Sequence, residues 1–169
     1  MGNVHLFDDM ASKCLTDLTT LPQDPPLPKD FNGAGILLNL SDNYLTTSAL
    51  KDASFCTQLT WKTHLVQLQL QENVITSMEW ANGVVFPNCH ILNLSINQIV
   101  EVDNIPSSFP NLRHLHLNGN PLPCDVNILS SFRSFNSLLT LDCTSTPLSS
   151  HPDYTSFITK NISTLKVTM

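Results

Sequence analysis

Two apolar residues separated by one polar residue, then a lone asparagine three positions on, then another aliphatic residue two beyond it, recur four times in this chain. The first instance is Leu38, Leu40, Asn43 and Leu45, and the second is Leu68, Leu70, Asn73 and Ile75. The third is Leu92, Leu94, Asn97 and Ile99, and the fourth is Leu115, Leu117, Asn120 and Leu122. Alternation with period two is the signature of a half-buried strand, so each apolar pair points into a core. The asparagine falls where the chain must leave the strand. A buried carboxamide needs partners there, and backbone groups of its own and the adjacent turn can supply them. Stacked, the four asparagines predict one continuous hydrogen-bonded column.

The pattern L-x-L-x-x-N-x-L is the core of a leucine-rich repeat. Successive asparagines are 30, 24 and 23 residues apart, which leaves room in every interval for the crossover that parallel strands require. A fifth turn keeps its apolar pair at Leu141 and Cys143 but carries Thr146 in place of the asparagine, so the ladder is closing. A weaker sixth, Leu165-Lys166-Val167, follows 24 residues after Leu141. The expected fold class is α/β. It is a solenoid with five or six short parallel strands on the concave face and helices or 3₁₀ segments on the convex face.

With 169 residues the chain is expected to form one domain. Residues 1–34 would be an N-terminal cap, 35–123 the four repeats and 124–169 a C-terminal cap. Leu6, Met10 and Cys14 recur at helical spacing and predict a short helix over 4–14, after which Pro22, Pro25, Pro26 and Pro28 demand an extended loop. The long first interval holds Ser48 to Phe55, a convex helix for which Thr47 or Ser48 is a suitable N-cap. Trp61 and Trp80 lie in connecting segments, where they are expected to wedge the core. Asp125 can cap a helix running to about Asn136, with Ile128, Leu129, Phe132 and Phe135 as its apolar stripe.

Residues between and beside the core leucines define the expected partner-binding face. The central column is Asn39, Gln69, Asn93, His116 and Asp142. Two residues earlier stand Leu37, Gln67, Ile91, His114 and Thr140, and two residues later Ser41, Gln71, Ser95, Asn118 and Thr144. Asp42 and Glu72 make one end acidic, while Arg113, His114 and His116 make the other weakly basic. Such a mixed, mostly neutral face suits a folded partner held by a few anchors among many modest contacts. His90, His114 and His116 could gather around a zinc ion, but no carboxylate or cysteine is placed to complete the set, so no metal and no cofactor is expected. The chain has no P-loop, no G-x-S-x-G, no H-E-x-x-H and no C-x-x-C, and its Asp, His and Ser residues form no triad pattern. The expectation is a non-enzyme.

The net charge is −6 with only eight Lys and Arg, which excludes a basic stripe for direct nucleic-acid binding. The N-terminus lacks the basic start and apolar stretch of a signal peptide, and no run of the chain approaches a membrane span in length. Five cysteines, at 14, 56, 89, 124 and 143, are an odd set. They read either as reduced core thiols or, for Cys124 and Cys143, as a bridge in an extracellular cap. The sequons at Asn39-Leu-Ser and Asn93-Leu-Ser place their asparagines in the centre of the expected binding face, where glycans would obstruct it. We read them as accidental and expect an intracellular chain.

The stretch from Asn120-Pro121 through the cap helix to Leu141-Asp142 resembles the C-terminal cap of intracellular leucine-rich-repeat proteins. That group includes the spliceosomal A-prime protein, acidic nuclear phosphoproteins, an axonemal dynein light chain and phosphatase-regulatory repeats. The run Val100, Val102, Ile105 and Phe109 also looks like the group's short repeat. The resemblance spans roughly residues 35–148, with two departures. Ile128-Leu129 stands where the group has Tyr-Arg, and the 30-residue first interval is long. The resemblance implies a nuclear adaptor that clasps an RNA-recognition-motif protein of a splicing ribonucleoprotein, touching RNA at most indirectly and no membrane. It allows a ciliary, cytoskeletal or phosphatase- or motor-regulating scaffold instead. An extracellular recognition receptor of the same fold is the rival reading.

Overall fold

The computed structural model describes residues 4–6, 35–51 and 62–161. Six short parallel strands form one sheet in sequence order: β1 (Val4–Leu6), β2 (Ile36–Asn39), β3 (Leu65–Gln69), β4 (Ile91–Asn93), β5 (His114–His116) and β6 (Thr140–Asp142). The convex side carries α1 (Thr47–Lys51), α2 (Ile105–Ser108), α3 (Val126–Ser131) and three single 3₁₀ turns, at Glu79–Ala81, Phe132–Ser134 and Pro147–Ser150. Helix α4 (Tyr154–Asn161) follows at the C-terminal end. This is the leucine-rich-repeat solenoid that the apolar spacing predicts.

The register aligns the repeats residue for residue. Leu38, Leu68, Leu92, Leu115 and Leu141 are Cα partners across the sheet, and all five are buried. Leu40, Leu70, Leu94, Leu117 and Cys143 form a second buried row. The second repeat has one residue more than the first between its core positions. Ile36 pairs with Leu65 but Leu37 with Gln67, so Val66 is the extra residue of a bulge. Gly35 accommodates it, since a Cβ there would stand 2.6 Å from a Val66 methyl group.

Inside each turn, the ladder asparagine binds backbone on both sides. Asn73 Nδ2 donates to the carbonyls of Leu40 (3.0 Å) and Leu70 (3.1 Å), and its Oδ1 accepts from the Leu45 N–H at 2.9 Å. Asn97 repeats this with Leu70, Leu94 and the Ile75 N–H, and Asn120 with Leu94, Leu117 and the Ile99 N–H. Each carboxamide therefore satisfies polar groups that burial would otherwise orphan. Thr146 is too short for this span. Its hydroxyl donates to Cys143 O within its own turn, and the link back to the fourth repeat is made by the Leu148 N–H to Leu122 O.

Every turn needs a left-handed residue just before the ladder position. Asp42, Glu72, Ile96, Gly119 and Ser145 take φ values of 54°, 57°, 53°, 70° and 58°. Glycine adopts this backbone freely, but a β-branched residue does so at a cost on the order of 1–2 kcal/mol, which makes Ile96 the strained member.

The convex layer is packed by an aromatic cluster. Phe86 and Phe109 stack with ring centroids 4.9 Å apart, and the buried Trp80 meets both. Helix α1 begins one residue earlier than predicted and is capped by Thr46, whose Oγ1 accepts from the Ala49 N–H at 3.0 Å. Thr47, freed from capping, bonds the neighbouring repeat through Thr76 and Ser77. Asp125 caps α3 by accepting from the Asn127 N–H at 2.8 Å. From the cap stripe, Leu129 and Phe132 are buried, while Ile128 and Phe135 pack at the margin of the core. Arg133 lies 5.1 Å over the Phe157 ring and ties this cap to α4.

The N-terminal expectation is corrected in part. Val4–Leu6 is a strand paired in parallel with Ile36–Leu38, not the start of a helix. An open parallel edge offers a row of unpaired backbone groups, and three residues of Val-His-Leu gain more by pairing with it than by starting a helical turn. The rest of that helix, the proline-rich loop, Trp61, Cys14, Cys56 and the strand at 165–167 lie outside the described residues.

Candidate functional site

The concave face presents three columns one strand spacing apart in each step. The sheet register places Asn39, Gln69, Asn93, His116 and Asp142 in one row, and Leu37, Gln67, Ile91, His114 and Thr140 in the row before it. Among the predicted residues, Asn39, Gln67, Gln69, Gln71, Ile91, Asn93, His114, His116, Asn118 and Asp142 are half-buried, while Glu72 and Arg113 are exposed. Half-burial is what a shallow groove gives: the stems pack side by side and the polar ends reach solvent.

Three predicted contact residues do not belong to the accessible set. Leu37, Ser41 and Ser95 hold the expected register but are buried. The serines are consumed internally. Ser41 donates both its N–H (3.1 Å) and its hydroxyl (2.7 Å) to Asn39 Oδ1, and Ser95 does the same to Asn93 Oδ1 at 3.1 and 2.7 Å. Asp142 and Thr144 repeat the motif in the last turn at 3.0 and 2.8 Å. Asn-x-Ser and Asp-x-Thr thus form a second, surface ladder that closes the exit from the strand, a local side-chain-to-backbone bond of a familiar type. This gives the sequons at Asn39 and Asn93 a structural reason, one that residue spacing did not reveal. The repetition of Asn/Asp-x-Ser/Thr in three turns was the available signal.

Ser95 Oγ also lies 2.5 Å from the Asn118 carboxamide. Its single hydroxyl proton has two carboxamide oxygens in reach, Asn93 Oδ1 and Asn118 Oδ1. Gln71 Oε1 in the same column is buried without a hydrogen-bond partner among the described residues.

The histidines at the fourth repeat form a loose group. His114 Nδ1 pairs with Thr140 Oγ1 at 2.8 Å, and His90 Nδ1 with the Asn111 carbonyl at 3.1 Å. Burial holds the His114 imidazole below its ordinary pKa, and the neighbouring His116, Arg113 and His90 push the same way. Among the described residues, no three His, Cys, Asp or Glu side chains stand close enough together to hold a metal ion.

Cys89, Cys124 and Cys143 are free thiols, the first and last buried and Cys124 exposed. The Cys124–Cys143 bridge of the receptor reading is therefore not formed. Burial pushes the thiols of Cys89 and Cys143 up to about 12, and Tyr154 hydrogen-bonds Cys143 across the cap. No helix among the described residues is long and apolar enough to cross a membrane.

No family model matches the chain, and no curated protein does. Solved structures do match. A chain of the Drosophila melanogaster SNF/U2A' complex superimposes with a TM-score of 0.55 at 23% identity, over 62% of this chain and 59% of that one. This chain thus corresponds to about three fifths of the length of that neighbour. At this identity the likeness is one of fold. In architecture, the chain is a leucine-rich-repeat solenoid similar in fold to a chain of the SNF/U2A' complex.

Proposed function

We propose that this chain is a non-enzymatic adaptor that docks a folded protein on its concave strand face. The observation that carries the reading is the register itself. It lines up half-buried, mostly neutral polar or aliphatic side chains on adjacent strands. Rigid, shallow and mixed in polarity, such a face favours a partner of complementary shape over a small substrate. Gln67, Gln69, Asn93, His114, His116 and Asp142 would supply the polar contacts and Ile91 an apolar anchor.

A finer reading rests on the resemblance to the spliceosomal A-prime group and on the neighbour's being a complex of SNF with U2A'. The partner would be an RNA-recognition-motif protein of a splicing ribonucleoprotein in the nucleus. The net charge of −6 supports RNA contact through the partner instead of directly.

Co-purification from native cells tests both levels. Recovery of an RNA-recognition-motif protein with small nuclear RNA supports the splicing role, and axonemal or cytoskeletal proteins overturn it. His114→Ala/His116→Ala should leave folding intact and weaken the recovered partner about tenfold, the loss expected from two modest polar anchors. Unchanged affinity of that double variant overturns the concave-face reading.

A further inference from the structure

The left-handed column at the strand exits has a chemistry of its own. Asp42, Glu72, Ile96 and Gly119 occupy the same position in four consecutive repeats. Backbone bonds staple them in order: Asp42 N–H to Gln71 O, Glu72 N–H to Ser95 O, Ile96 N–H to Asn118 O and Gly119 N–H to Thr144 O, at 3.0, 3.0, 2.8 and 3.0 Å. Adjacent members are therefore about one strand spacing apart, roughly 5 Å. Both carboxylates are exposed, and neither is ion-paired with a described residue. Two large side chains of the same turns are open to solvent, Tyr44 at 62% exposure and Ile96 at 54%. Ile96 is held in a backbone conformation that opposes its own side chain. Gly119 lets Ile96 pack closely over it, since a Cβ there would stand 3.3 Å from Ile96 Cγ1. Next to Glu72, the Gln71 carboxamide oxygen still lacks a donor among the described residues.

We propose that this edge is a second docking surface, and that its occupant is a basic amphipathic helix of the partner protein. Charge complementarity selects the sign: the column has two carboxylates and no Lys or Arg. A Lys or Arg of the partner sits between the exposed Asp42 and Glu72. An aliphatic side chain of the same helix rests on the exposed Ile96. From Asp42 to Ile96 is two strand spacings, about 10 Å, which matches residues seven apart on one helix face. The turn demands the left-handed backbone, but folding gains nothing from an exposed isoleucine there that glycine or asparagine would not supply. The inference extends the adaptor reading and rests on the existence of a protein partner.

Two synthetic helix-forming peptides test the edge with the full chain. One carries Lys and Arg at one end and Leu seven residues on, and its counterpart carries Glu in place of the cations. Fluorescence anisotropy should show the basic peptide binding and weakening with added salt, and the acidic one not binding. Asp42→Asn/Glu72→Gln should lower the basic peptide's affinity about tenfold. Ile96→Asn should lower it about fivefold while raising Tm by roughly 2 °C, because asparagine tolerates the left-handed backbone. A merely structural role would move affinity and Tm together. Equal binding or equal non-binding of the two peptides, or unchanged affinity in both edge variants, overturns the proposal. His114→Ala/His116→Ala should leave peptide affinity unchanged. Its effect on the native partner reports separately on the concave face, so either surface can fail alone.

Discussion

Asparagine does two different jobs in this chain, and only its surroundings distinguish them. Asn97 is buried and joins Leu70, Leu94, Ser95 and Ile75 across two repeats. Asn93, four residues earlier, only closes its own turn with Ser95. Asn97→Ala should therefore cost about 4 kcal/mol, since several buried groups lose their partner, whereas Asn93→Ala should cost about 1 kcal/mol. Urea denaturation of the two variants checks the contrast. The same logic separates the cysteines. With thiols pushed up to about 12, Cys89 and Cys143 carry almost no thiolate near pH 8. In the native protein a thiol reagent should modify the exposed Cys124 while Cys89 and Cys143 stay unlabelled until the chain unfolds, as peptide mass mapping would show. The ladder residues were legible because buried amides obey a fixed spacing. The burial of Ser41 and Ser95 was not, because which way a serine turns depends on the asparagine two residues before it.

Strand β5 is the element in which charge and burial interact most. His114 sits between His90, Arg113 and His116, and its imidazole is held below the ordinary value, first by burial and then by these neighbours. The unfolded chain therefore binds a proton more readily than the folded one. Stability is undiminished above about pH 6.5 and falls as pH drops from there toward the lowered folded pKa, levelling below it. Melting curves between pH 5 and 7.5 should show this decline, and His114→Gln should flatten it. A slope unaltered by the substitution would assign the decline to other groups. At the chain's start, helical spacing at Leu6, Met10 and Cys14 pointed to a helix, yet Val4–Leu6 is a strand. Local periodicity cannot report a waiting sheet edge, so this was hidden from the sequence.

At the scale of the whole molecule, each repeat contacts only its neighbours, and stability is carried along the stack. Leu94 is fully buried beside Leu70 and Leu117, at the centre of that stack. Leu94→Asp should cost more than about 4 kcal/mol and unfold the described repeats together, since an unpaired carboxylate there has no route to solvent. Loss of the folded circular dichroism signal in a single transition would confirm the coupling. Local melting of one repeat with the others intact would show the stack to be less cooperative.

The sequence by itself determined the repeat, the parallel sheet, the buried leucine rows, the ladder asparagines and the Asp125-capped helix. Each follows from a spacing of two or three residues and from the rule that buried polar groups need partners. Only the tertiary structure decided which of the face residues remain accessible, that the sequons close turns, and that β1 covers the N-terminal edge. It also decided that five left-handed residues fall into one column, because stacking brings together positions that are 20 to 30 residues apart and that no local pattern connects.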